Sequence, residues 1–208
     1  MDLRRISDPL TREQKLAVLP IAKVKAQERV AHSEEDELIG DHIEAAFDHL
    51  HGPDGWLNGY CLLEESFEAF PQAIGDTTEV PLRPVADEAS VSVGRRLAMG
   101  DYTAYGIADV LPVSSDGFCT VARLRATGFE PQIGVIDPRQ YRIAFKAGWK
   151  EPGLVPRPLV QALLLLAGHF YQNREATLSD TRVSNVSKKV EFGLLALAGR
   201  YRISPDHS

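Results

Sequence analysis

The sequence predicts an α+β protein, a helical bundle formed by N- and C-terminal helices with a central antiparallel β insertion. Three observations lead there. Apolar residues recur at helical spacing between residues 20 and 50, and they do so again, more densely, between 156 and 198. Between these stretches, from Tyr60 to Gly148, short segments are bounded by Pro, Gly and Asp, as strands joined by turns are. The expected division is 1–59 for the N-terminal helices, 60–149 for the β-rich insertion, 150–199 for the C-terminal helices of the same helical core, and 200–208 for a tail.

The first helix is expected from about Pro20 to Glu28, since proline suits the first helical position, where its missing N–H costs nothing. A stronger helix follows. Ser33 reads as its N-cap, and Glu34, Glu35 and Asp36 place negative charge at the positive end of the helix dipole. Leu38, Ile39, Ile43, Ala46, Phe47 and Leu50 then define one buried face, with Asp41, Glu44 and Asp48 opposite, until Gly52, Pro53 and Gly55 end the helix. In the middle of the chain, Thr77–Leu82, Ser90–Val93 and Phe118–Ala126 read as strands, the last opened by a turn at Ser114–Gly117. Tyr141, Ile143 and Phe145 alternate with Arg142, Ala144 and Lys146, the period of a half-buried strand. From Pro156 a helix returns that is apolar almost all round at Leu159–Ala167, so it is buried by its own domain or by a neighbouring subunit. The polar, aperiodic stretch Glu175 to Lys189 reads as a mobile loop, and a short helix at about Val190–Ala198 precedes the tail.

Composition restricts the function. With 44% hydrophobic and 25% charged residues the chain is ordinary globular material. A formal net charge of −6 argues against tight DNA wrapping, which needs a basic face to neutralise phosphate. The two cysteines, Cys61 and Cys119, stand in no metal-ligand pattern and read as free thiols of a reducing compartment. The basic start, Arg4-Arg5, is followed by no apolar signal core, and the longest apolar run is far shorter than a membrane span. The expectation is a soluble protein made in a cytoplasm and not bound to membrane.

Catalytic signatures are weak. No nucleophile elbow, phosphate loop or dinucleotide fingerprint occurs. His42 and His49 share a helix face at a separation of seven, with His51 near, but a zinc site wants three or four spaced ligands. Glu64, Glu65 and Glu68 read as charges on an exposed strand or turn, and His169 as a core or interface histidine. No catalytic residue, metal or cofactor is expected.

Three ordered stretches are similar to the head–tail connector (adaptor) family of long-tailed phages and gene transfer agents. The first is Leu19-Pro20-Ile21-Ala22-Lys23 followed by Glu34–Ile39 and Ile43-Glu44-Ala45-Ala46. The second runs from Phe145-Lys146-Ala147-Gly148-Trp149 through Val155-Pro156 and the Gln161-Ala162-Leu163 helix to Tyr171-Gln172-Asn173-Arg174-Glu175. The third is Val190–Leu195 with Arg200-Tyr201-Arg202. The matches cover about half of the chain. The middle departs more, with Gly55-Trp56-Leu57-Asn58 where the family often has a Thr-Gly-Arg-like turn.

That resemblance implies a structural subunit in the neck of a virion or phage-like particle, made in a bacterial cytoplasm, and not an enzyme. Its partners would be other copies of itself in a ring of about twelve, the portal protein, and a stopper or other tail-side neck protein. DNA would pass through the channel without sequence-specific binding, and an acidic or mixed lumen suits such a conduit, with Glu175 and Asp180 as lining candidates. By the same resemblance the tail docks on the portal through Arg200, Tyr201, Arg202 and Ile203, chemistry suited to binding hot spots. Leu163, Leu166, Phe170, Tyr171 and Arg174 are the subunit-interface candidates. Competing readings are a stopper or tail-completion protein, a small metal-dependent hydrolase using His42, His49 and a carboxylate, and a DNA-binding packaging factor.

Overall fold

The computed structural model describes residues 1–72, 78–85, 88–96, 100–104, 107–112, 120–125, 139–173 and 188–203, with backbone alone considered at 107–112 and 120–125. Two compact units emerge. A sheet unit comprises Met1–Asp8 and Leu63–Lys150, and a helical unit comprises Pro9–Leu62 and the described residues from Glu151 onward.

In the helical unit, α1 (Arg12–Val18) is opened by a capping box: the Thr11 hydroxyl accepts from the Gln14 N–H while the Gln14 side chain accepts from the Thr11 N–H. Sequence periodicity missed this helix because seven residues are too few to set a period. Helix α2 (Ile21–Glu28) starts after Pro20 and stops at Arg29 in the left-handed region, as the sequence leads one to expect. Helix α3 (Asp36–Leu50) begins later than its expected Ser33 cap. The Asp36 N–H bonds the Ser33 backbone carbonyl, so Ser33 forms a preceding turn, and Glu35 holds the cap position without a side-chain bond. The acids Asp36 and Glu37 do occupy the first turn.

Helix α4 (Arg157–Gln172) packs against α3, and α5 (Lys188–Ala198) packs on α4. Ile39, Ile43, Ala46, Phe47 and Leu50 of α3 meet Leu159, Ala162, Leu163, Leu166 and Ala167 of α4 in a core with no solvent exposure at any of these side chains. The expected solvated face of α3 carries α1: Arg12 bridges Asp41 and Glu44 at 2.6 Å, and Lys15 reaches Asp48 at 2.7 Å. Asp41 holds the Arg12 guanidinium protonated even above its ordinary range. The acidic face of α3 thus positions, through Arg12 and Lys15, a helix whose own apolar content is small.

The sheet unit contains a five-stranded antiparallel sheet in the order β1–β2–β8–β4–β5 and a three-stranded one in the order β3–β7–β6. The strands are β1 (Asp2–Arg5), β2 (Glu65–Phe70), β3 (Thr78–Glu79), β4 (Ser92–Arg95), β5 (Thr103–Ala104), β6 (Ile107–Pro112), β7 (Thr120–Arg125) and β8 (Tyr141–Ala147). On β8 the expected alternation holds: Ile143 and Phe145 are buried while Lys146 is exposed. Phe67 stacks on Phe145 across the β2–β8 pair at 5.9 Å between ring centres.

Several strand expectations shift. Of the expected Thr77–Leu82 strand, Thr77 lies outside the described residues and Thr78–Glu79 form β3, while the Ser90–Val93 strand moves to Ser92–Arg95 because Glu88–Ser90 forms a 3-10 turn. The 118–126 strand appears as β7, and its expected opening turn at 114–117 lies outside the described residues, as does Cys119. The first residues, expected to lead into helices, form β1 at the sheet edge.

The acids Glu65 and Glu68 are buried, not exposed. β2 is an interior strand, so alternation sends them to opposite faces, where arginines meet them. Glu68 accepts from Arg4 at 2.5 Å and from Arg142 at 3.3 Å, while Glu65 pairs with Arg5 at 3.1 Å. One carboxylate thus links β1 to β8 across β2.

Candidate assembly surfaces

The expected docking tail begins inside the helical unit. Gly199–Tyr201 form a 3-10 turn that continues α5, and Tyr201 is buried with its ring edge-on to Tyr60 at 5.8 Å. The Arg200 guanidinium donates to the Tyr201 hydroxyl at 2.7 Å. The exposed Arg202 lies over the Trp56 ring at 4.7 Å, a cation–π contact. Ile203 is tied by both backbone groups: its N–H donates to the Leu57 carbonyl, and its carbonyl accepts from the Asn58 side chain at 2.9 Å.

The receiving loop, 51–60, owes its shape to left-handed residues. Gly52, Asn58 and Gly59 have positive φ, and the Gly52 N–H bonds the Tyr60 carbonyl at 2.8 Å. Four residues named as binding candidates therefore divide in two. Tyr201 and Ile203 anchor the chain end, while Arg200 and Arg202 face solvent. Residues 204–208 lie outside the described set.

The expected subunit-interface group on α4 divides as well. Leu163, Leu166 and Phe170 belong to the core of the helical unit and present no surface. The Leu-rich run is apolar all round because α2, α3 and α5 each take a side of α4. Half-buried Tyr171 donates its hydroxyl to Glu35 and sits edge-on to His42. Arg174, Glu175 and Asp180, with nearly all of the stretch read as a mobile loop, lie outside the described residues. Lys188 and Lys189, at the end of that stretch, instead open α5.

Sequence reasoning missed the exposed apolar side chains. Phe192 is 75% exposed and Leu195 46% exposed on α5, and Leu154 is 57% exposed in the 3-10 turn Pro152–Leu154. A signal existed on α5: Phe192 and Leu195 fall off the buried stripe of Val190, Leu194 and Ala198.

For chemistry, no group of three or more His, Cys, Asp or Glu converges on a metal-sized site among the described residues. His42 packs against Tyr171, and His51 Nδ1 accepts from the Leu62 N–H at 2.9 Å. His49 is driven below its ordinary pKa of 6.5 by burial. Its folded-state pKa being depressed, the folded protein binds fewer protons than the unfolded chain just below pH 6.5, so stability falls as pH drops through that window. We expect a melting temperature that declines on acidification below about pH 6.5, with a shallower decline in His49→Asn, measured by thermal denaturation across pH.

Among the described residues no helix is long and apolar enough to cross a membrane.

No family model matches the chain, and no curated protein matches it. Solved structures do. The chain is similar, with a TM-score of 0.65 and 22% identity over 98% of its length and 96% of the other, to a chain in the neck of an empty GTA particle computed with C6 symmetry. A chain in the virion of a native gene transfer agent particle matches at a TM-score of 0.62 and 21% identity. One in the neck of a native GTA particle computed with C12 symmetry matches at 0.62 and 19%, each pair again covering 98% and 96% of the two chains. The likeness is one of fold, and it extends over both units.

Proposed function

We propose that this protein is the head-to-tail adaptor of a phage-like particle, a structural component of its neck. Copies form a ring that binds the portal on one side and a stopper or tail-side protein on the other, and DNA passes through the channel. The observation that carries this reading is the end-to-end fold likeness to chains from gene transfer agent necks computed with C6 and C12 symmetry, the symmetries of rotationally repeated assemblies. Within the neck, the adaptor role is supported by the ordered motifs of the C-terminal half, from Gln161 through Tyr171-Gln172-Asn173 to Arg200-Tyr201-Arg202. A net charge of −6 suits a conduit that must not grip DNA.

The chain end supplies the proposed portal contact. Tyr201 and Ile203 hold Arg200 and Arg202 at fixed positions on the surface, and arginine so placed is suited to directional bonding with carboxylates or carbonyls. Cutting the chain after Gly199 would remove the buried Tyr201 along with the arginines. The clean test is therefore co-purification with the portal protein of the same particle, comparing wild type with Arg200→Ala/Arg202→Ala. Wild type is expected to bind as a ring, and the double variant to lose binding while still folded, its melting temperature lowered only by the loss of the Arg200–Tyr201 hydrogen bond and the Arg202–Trp56 contact. Failure of the wild type to bind the portal overturns the adaptor role and leaves the stopper reading.

A further inference from the structure

Residues 51–62 form a loop drawn closed at its base. The His51 N–H ends α3 by bonding the Phe47 carbonyl, and the His51 Nδ1 accepts from the Leu62 N–H at 2.9 Å. Next to it the Gly52 N–H bonds the Tyr60 carbonyl at 2.8 Å, and the Gly59 N–H bonds the Gly52 carbonyl at 3.2 Å. Of these bonds across the base, the one from Leu62 ends on a half-buried side chain whose charge changes with pH. The far side of the loop receives the chain end. The Leu57 carbonyl and the Asn58 side chain hold the two backbone groups of Ile203, and Tyr60 meets the ring of Tyr201.

We propose that His51 is a pH-sensitive clasp that positions the chain end, so that acid frees Tyr201 and Ile203 from the loop and withdraws Arg200 and Arg202 from the portal. An imidazole nitrogen accepts a hydrogen bond only while it carries no proton, so the bond from Leu62 selects the neutral ring with its proton on Nε2. A second proton, taken from solvent, lands on Nδ1 and turns it into a donor facing the Leu62 N–H. The bond is lost, and residues 57–60 lose the base that holds them against Ile203. The clasp is a property of the loop alone; its effect on portal binding rests on the adaptor reading.

Other charged or titratable groups surround this bond. Lys15 of α1 lies over the Phe47 ring, against which the His51 ring also packs at 5.0 Å, and it pairs with Asp48. Tyr60 and Cys61 are buried, Arg200 bonds the Tyr201 hydroxyl, and Arg202 lies over Trp56. Asp54 is exposed, and His49 lines a cavity of about 440 Å³ together with Asp48, Asp54 and Trp56. His49 also titrates, so its effect has to be separated from that of His51.

The test follows amide exchange on the full-length chain at about pH 8 and about pH 5, the span over which histidines change charge, expressed as protection corrected for the intrinsic rate. Protection at Ile203 is read relative to the buried core residue Ile43, so that a general loss of stability cancels. In wild type this ratio is expected to fall roughly five- to tenfold at the lower pH, the scale of one hydrogen bond. His51→Asn, whose side-chain oxygen accepts where Nδ1 did, should match wild type at the higher pH and stay there at the lower. His49→Asn should fall as wild type does. Co-purification with the portal, run on the same samples, should follow the same pattern. A wild-type ratio that does not change, or one that falls equally in His51→Asn, overturns the clasp and leaves the adaptor reading intact. A nitrogen spectrum of the wild-type imidazole with the proton on Nδ1 at the higher pH also overturns it, without recourse to any variant. If the ratio falls as expected while wild type fails to bind the portal at either pH, the clasp stands and the adaptor role is overturned.

Discussion

Replacing Gly148 with alanine is expected to unfold much of the sheet unit, at a cost of about 3–5 kcal/mol. Gly148 has φ +114, a conformation that L side chains rarely adopt. A Cβ there would also collide with the backbone carbonyl of Leu63, which has no flexible end to move aside. The two penalties add, because relieving the collision would require shifting Leu63, whose neighbour Glu64 bonds the Trp149 carbonyl at 3.0 Å. On the other side, the Gly148 N–H donates to the Pro84 carbonyl at 2.8 Å. Domains are stable by only about 5–15 kcal/mol in total, so the variant should be poorly soluble or melt far below wild type. Urea denaturation followed by circular dichroism measures it. A variant with a near-wild-type midpoint would mean that the backbone here accommodates a side chain.

Leu166→Ala is expected to act on folding and not on assembly. Its side chain is fully buried in the α3–α4 core, so truncation should cost about 2–5 kcal/mol of stability. Had Leu166 been an interface residue, the same change would leave the monomer's melting temperature alone and weaken association. Melting and mass measured on one preparation separate the two. Helix α4 supplies core, whereas α5 leaves Phe192 and Leu195 exposed.

Helix positions were readable from the sequence where periodicity was long. Asp36–Leu50 and Arg157–Gln172 each repeat their apolar spacing over four turns, enough to define a buried face. The short elements were not readable: α1 spans less than two heptads, and β1 consists of Asp2-Leu3-Arg4-Arg5, which has no apolar alternation. Arg4 and Arg5 pair there because Glu65 and Glu68 wait on β2, a partnership sixty or more residues apart in sequence. The same distance hid the fate of the chain end. Tyr201 reads as a free terminal aromatic until the loop containing Tyr60 is folded against it. For α4, the sequence left open whether its own domain or a neighbouring subunit buries the apolar run; within the chain, α2, α3 and α5 surround it, a count of neighbours that sequence cannot supply.

The edge strand β1 has a consequence for crowding. Sheets grow by adding strands to open edges, and this edge shows Asp2, Arg4 and Arg5 with most of their side chains exposed or held in ion pairs. A neighbouring copy approaching it would have to desolvate those charges before any backbone bond could form. Copies brought close together are thereby discouraged from joining sheets through this edge, whose charges act as a guard against fibre growth.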